Sequence, residues 1–129
     1  MTEGMPHERV GLALDAVDRV VTILSRQRYV LELAVPALAD ARRWRLGEPI
    51  AARQIYDHVH PLMNRMTEDG LAGRELAAAT AVVYALFYTA WHARQIEGPV
   101  GPPLPNDICE VSEETLKECL GYAEQAIRE

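Results

Sequence analysis

Aromatic residues are scarce in this chain. It holds one phenylalanine, aromatics make up 6% of its 129 residues, and no stretch alternates β-branched and polar side chains over the length of a strand, which argues against a sheet. Cysteine is nearly missing too. Cys109 and Cys119 are the only two, and with no export signal beside them they read as reduced thiols of a cytoplasmic protein. The first residues, MTEGMPHERVG, lack a basic segment followed by an apolar one, so no secretory leader is expected. The longest apolar run, LAAATAVVYALFYTAW at residues 76–91, has 16 residues where a bilayer span takes about 20. It reads as a core helix, and no membrane partner is expected. There is no P-loop, GxGxxG, CxxC or HExxH pattern, and no cofactor is expected.

What is present points to helices. An apolar fraction of 49% and a charged fraction of 25% suit a soluble globular protein. A chain of this length forms one domain, residues 1–129, able to bury roughly two-thirds of its unfolded surface. Val10, Leu14, Val17, Val21 and Leu24 recur at helical steps from a start near Pro6. A second stripe runs through Val30, Leu33, Ala37, Ala41 and Trp44, with a kink or break expected at Pro36 and a cap at Gly47. Pro49 is placed to open a third helix carrying Ala52, Ile55, Val59, Leu62 and Met66, in which Pro61 threatens another kink, and Gly70 ends it. The fourth helix, about residues 71–97, is apolar almost all round, as the middle helix of a bundle would be. The last helix starts at Ser112 as N-cap and buries Leu116, Cys119, Leu120, Ala123, Ala126 and Ile127. The expected fold is all-α: a single-domain bundle of about five helices, with a proline-rich crossover loop at residues 98–111.

Charge is unevenly placed. Residues 1–96 carry 11 acids and 11 bases, whereas residues 97–129 carry 8 acids and 2 bases, so the whole net charge of −6 lies in the last segment. An acidic surface repels phosphate backbones, so nucleic acid is not an expected partner, and it attracts basic proteins. The loop holds Pro99, Pro102, Pro103 and Pro105. It cannot be helical, and as a stiff crossover it lowers the entropy lost on ordering. Asp107, Glu110, Glu113, Glu114 and Glu118, with Glu97 at the rim, form the expected binding surface for a basic partner.

Other residues carry chemistry in principle. His58 and His60 point about 200° apart on a helix and cannot share a metal as an i, i+4 pair would, so no metal site is expected. His92, between Tyr88 and Ile96 one turn either side and next to Trp91, is of the type that serves as a general base. Tyr88, Trp91 and His92 would line a pocket in an enzyme or ligand-binding bundle, with His60 as a further member. The basic knot ARRWR, residues 41–45, reads as Trp44 completing a helix stripe among solvated or paired arginines. Asp15 and Asp18 share a face but lack the histidines of a di-metal bundle. A self-associating bundle, seamed through Val10 to Leu24, is a further alternative.

The segment AVVYALFYTAWHARQIEGPVGPPLPNDICEVSEE resembles the C-terminal half of small all-α immunity proteins of bacterial polymorphic toxin systems. Those have an apolar helix ending in an aromatic Trp-His or Trp-Tyr segment, a proline-containing loop and an acidic stretch before a last helix. The resemblance implies a non-enzymatic cytoplasmic inhibitor that binds and blocks a cognate toxin domain. Such toxins are often cationic nucleases, which matches an acidic face. The resemblance assigns no binding residues; those named above rest on charge and exposure.

Overall fold

A computed structural model describes residues 6–98 and 111–128. Every described element is helical: α1 (Pro6–Val20), a 3₁₀ run (Val21–Arg26), α2 (Arg28–Arg45), α3 (Ala52–Tyr56), α4 (Val59–Glu68), α5 (Gly73–Glu97) and α6 (Glu113–Arg128). The chain is an all-α bundle, and the five expected segments are all helical, the third being divided into α3 and α4.

Pro6 stands at the first position of α1, where its missing N–H costs nothing. Val10, Ala13, Leu14, Ala16, Val17 and Val20 then bury one face. After Val20 the backbone tightens to 3₁₀, whose three-residue turn keeps Leu24 in the core but leaves Val21 only half-buried. The seam from Val10 to Leu24 is therefore spent inside the chain's own core: Val10, Val17 and Leu24 are fully buried. It does not face outward for a second copy.

The expected break at Pro36 does not occur, and α2 runs through it from Arg28 to Arg45. Pro36 and Glu32 face solvent, so the Glu32 carbonyl that loses its helical donor can bond water instead. At its end, Gly47 takes φ 98°, its N–H bonds to the Trp44 carbonyl at 2.9 Å, and the Glu48 N–H reaches back to Arg43 at 3.0 Å. That paired closure needs a left-handed residue, and glycine supplies it without strain.

Pro49 does not open the next helix. Ile50 is buried and anchors an extended link, so α3 begins at Ala52. The third segment then divides at residues 57–58. Pro61 can give no N–H to the Asp57 carbonyl, and α4 restarts with the proline in its first turn. His58 and Gln54 both bond the Asp40 carboxylate of α2, at 2.8 and 3.2 Å, which ties the joint down.

α5 packs against α1, the 3₁₀ run, α2, α3, α4 and α6. Between residues 77 and 93 all side chains are buried except Thr80, Tyr84, Phe87 and Trp91, a stripe spaced four, three and four. By length and composition α5 could cross a membrane, with a mean hydropathy of 1.3, but 72% of that window is buried within the bundle. Small residues set its close approach to α6. Ala77, Ala78, Ala81 and Ala85 on one side and Ala123 and Ala126 on the other are all buried, and the Cys119 thiol donates to the Ala81 carbonyl at 3.4 Å. Burial pushes the Cys119 thiol up to about 12. On α6 the expected stripe is narrower than its sequence suggests, since Leu120 and Ile127 are exposed rather than buried.

Candidate functional site

Ser112 caps α6: its hydroxyl accepts the Glu114 N–H at 3.2 Å, while the Thr115 hydroxyl accepts the Ser112 N–H at 3.1 Å. The reciprocal pair fixes the first helical residue, Glu113. Its Oε1 accepts hydrogen bonds from the Tyr88 hydroxyl at 2.6 Å and from Arg9 Nε at 2.8 Å. Its Oε2 lies 3.5 Å from His92 Nε2. Three helices, α1, α5 and α6, are joined at this one carboxylate.

The electrostatics follow from the packing. Burial acts to raise the Glu113 carboxyl, but the bonds from Tyr88 and Arg9 outweigh it and hold it below the ordinary glutamate range. Burial and then the Glu113 bond push the Tyr88 hydroxyl up to about 12. Burial also lowers His92, against the pull of Glu113, which favours the charged ring, and with the help of Arg9 and His7. The His92 side chain is 6% exposed and its Nε2 has no hydrogen bond among the described residues. His92 is thus a neutral imidazole beside an ionised carboxylate.

Tyr88, Trp91 and His92 do come together. The Tyr88 and His92 rings meet edge-on at 4.6 Å, Trp91 and His92 at 4.8 Å, and Tyr88 and Trp91 lie nearly parallel at 6.2 Å. They pack on one another, and none of the described clefts is lined by any of the three. His60 is elsewhere, bonded to the Tyr56 hydroxyl at 3.0 Å, while His58 is bonded to Asp40.

Of the acids expected to face a partner, the four that are described divide into three sets. Glu97 turns inward. Its Oε2 accepts the Ala52 N–H at 2.9 Å, so it caps α3, which has no side-chain cap of its own. Glu113 is held in the cluster just described. Glu114 and Glu118 are exposed on α6, as is Glu124 further along that helix. Glu114 pairs with Lys117 at 3.6 Å and Glu124 with Arg128 at 2.9 Å, while Glu118 has no ion pair among the described residues. Asp107, Glu110 and Cys109, with the proline loop at residues 99–110, lie outside the described residues.

In the basic knot, Trp44 is buried and stacks on His7 at 4.2 Å. Arg42 pairs with Asp18, Arg43 with Glu48 at 3.0 Å and with Asp40 at 3.5 Å, so the arginines are structural or solvated. Among the described residues no group of three or more His, Cys, Asp or Glu is arranged to hold a metal.

Sequence reasoning missed Arg9, which pairs with a residue 104 positions away. It also missed Tyr84 and Tyr122, whose rings meet at 5.3 Å and 72° where α5 packs on α6. The second pair carried a signal, since Tyr122 lies one helical turn beyond Glu118 on α6. Comparison with family models, with curated proteins and with solved structures gave no match. The immunity-protein likeness rests on the sequence alone.

Proposed function

We propose that this chain is a non-enzymatic binding protein: an immunity protein that neutralises a cognate bacterial toxin domain, itself basic, by occupying it in the cytoplasm. The observation that carries the reading is the outer face of α6. Glu114, Glu118 and Glu124 stand in solvent there, and Glu124 lies one helical turn from both Leu120 and Ile127, apolar side chains 36% and 48% exposed. Exposed apolar groups with charged side chains at their border are the surface chemistry of a protein contact. The cluster at Glu113 serves as its mount, because it fixes the start of α6 to α1 and α5. Charge at the rim acts chiefly on the association rate, and desolvated pairs at the centre act on dissociation.

The test is co-expression with the toxic partner recovered from the source cells. The chain should abolish toxicity and form a stoichiometric complex whose association slows as salt rises. Glu114→Gln, Glu118→Gln and Glu124→Gln together should slow that association by at least about tenfold. Protection and kinetics unchanged in the folded triple variant would refute the α6 face as the binding site, and the absence of any toxic partner would refute the inhibitor reading.

A further inference from the structure

We infer that Tyr84, Tyr122 and Glu118 form a receptor for a single arginine side chain of the protein partner. The inference rests on the binding reading above and places one contact within it. α5 is buried on all sides along its middle except for the stripe Thr80, Tyr84, Phe87 and Trp91, so the one outward edge of the central helix is mostly aromatic. Its neighbours differ along its length. Phe87 meets Tyr56 of α3 edge-on at 6.0 Å, whereas Tyr84 meets Tyr122 of α6 at 5.3 Å and 72°. The two tyrosines meet edge to face, and both are only partly buried.

Glu118 lies one turn before Tyr122 on the same edge of α6. Of the described carboxylates on that helix, Glu113 is paired with Arg9, Glu114 with Lys117 and Glu124 with Arg128. Glu118 alone has no cation. Its proximity to the rings also registers in the Tyr84 hydroxyl, which is raised first by burial and then by Tyr122 and Glu118. An aromatic face with a free carboxylate at its border suits a planar guanidinium, which stacks on the ring while its fork donates to the acid. The chain already uses this chemistry on itself. The exposed ring of Tyr29 carries Arg65 at 5.4 Å and Arg28 at 5.9 Å, while Tyr84 and Tyr122 carry no cation among the described residues.

The probe is N-acetyl-arginine amide, titrated into the full chain with tyrosine ring resonances observed by NMR, beside the neutral citrulline amide and the lysine amide. Saturable shifts confined to Tyr84 and Tyr122 are expected for arginine. Glu118→Gln should weaken the probe by about two- to fivefold, and Tyr122→Leu should remove the shifts while the far-UV spectrum keeps its helical form. Citrulline binding as well as arginine, lysine binding as tightly, or no saturable shift would each overturn the inference. Because the probe needs no toxin, these outcomes are separate from failure of the inhibitor reading, which co-expression decides.

Discussion

Removing one oxygen from Tyr88 tests whether the carboxylate at the start of α6 fastens three helices. Tyr88→Phe keeps the buried ring and its contacts with Trp91 and His92, so little apolar burial is lost. What goes is the 2.6 Å bond to Glu113 and the 3.3 Å bond from Arg9. A hydrogen bond to a charged group contributes about 1.5–3 kcal/mol when sheltered. The Glu113 side chain is 47% exposed and water can replace part of what is lost, so the expected cost is about 1–1.5 kcal/mol. For a chain of this size that is a fall in Tm of roughly 3–8 °C. Urea melts followed by far-UV circular dichroism should show a lower midpoint with an unchanged slope. In a cycle with Glu113→Gln the two changes should be non-additive, with a coupling of about 1 kcal/mol. The cost should also shrink in acid. Glu113 is lowered in the folded chain, so its stabilisation is complete above the unfolded glutamate range and disappears as pH falls through the folded value. A cost below about 0.3 kcal/mol at neutral pH, or strict additivity, would refute the claim that this carboxylate fastens the helices.

Three further outcomes are expected. His92 is lowered by burial in the folded chain, so its contribution is present above the unfolded histidine range near 6.5 and is lost as pH falls below it; His92→Gln should flatten the stability profile between about pH 7 and 5 in denaturant melts, and an unaltered profile would contradict a buried neutral ring. In alkali, Tyr88 and Cys119, both pushed up to about 12, stabilise the fold below their unfolded values and lose that contribution as pH rises towards 12; combining Tyr88→Phe with Cys119→Ala should remove most of the alkaline loss, measured relative to each protein's own stability at neutral pH. Gly11→Ala should stabilise α1 by up to about 1 kcal/mol through helix propensity: the new Cβ would crowd the Arg45 guanidinium, but Arg45 is exposed and can swing away, so a loss above about 0.5 kcal/mol would show that its position is held.

The helices were legible in the sequence because their apolar residues repeat at helical spacing and their caps are local. Gly47, Gly70 and Ser112 each close or open a helix where their residue type suggests. Prolines were not decided locally. Pro36 and Pro61 carry the same local restriction and both face water, yet α2 continues and the third segment breaks. What differs is the tertiary bond from His58 and Gln54 to Asp40, which a linear reading does not contain. The acidic face was legible only in part. Counting charges located the excess on the final segment, and helical spacing put Glu114 and Glu118 outside. The same count treats Glu97, Glu113 and Glu118 alike, whereas one caps α3, one joins three helices and one has no ion pair among the described residues. That difference lies in partners 45, 25 and 104 residues away.

The Arg9 to Glu113 bond also bears on the order in which the fold can be assembled. It links the first described helix to the last, and α5, made between them, needs both to cover its faces. During synthesis α1 and α5 emerge with the surface meant for α6 still wet, including the alanine-lined strip that receives Cys119, Ala123 and Ala126. Closing a contact across 104 positions carries a larger entropic cost than joining neighbouring helices. Of the described helices α6 is therefore expected to dock late, and until it does the apolar strip on α5 stays open to solvent.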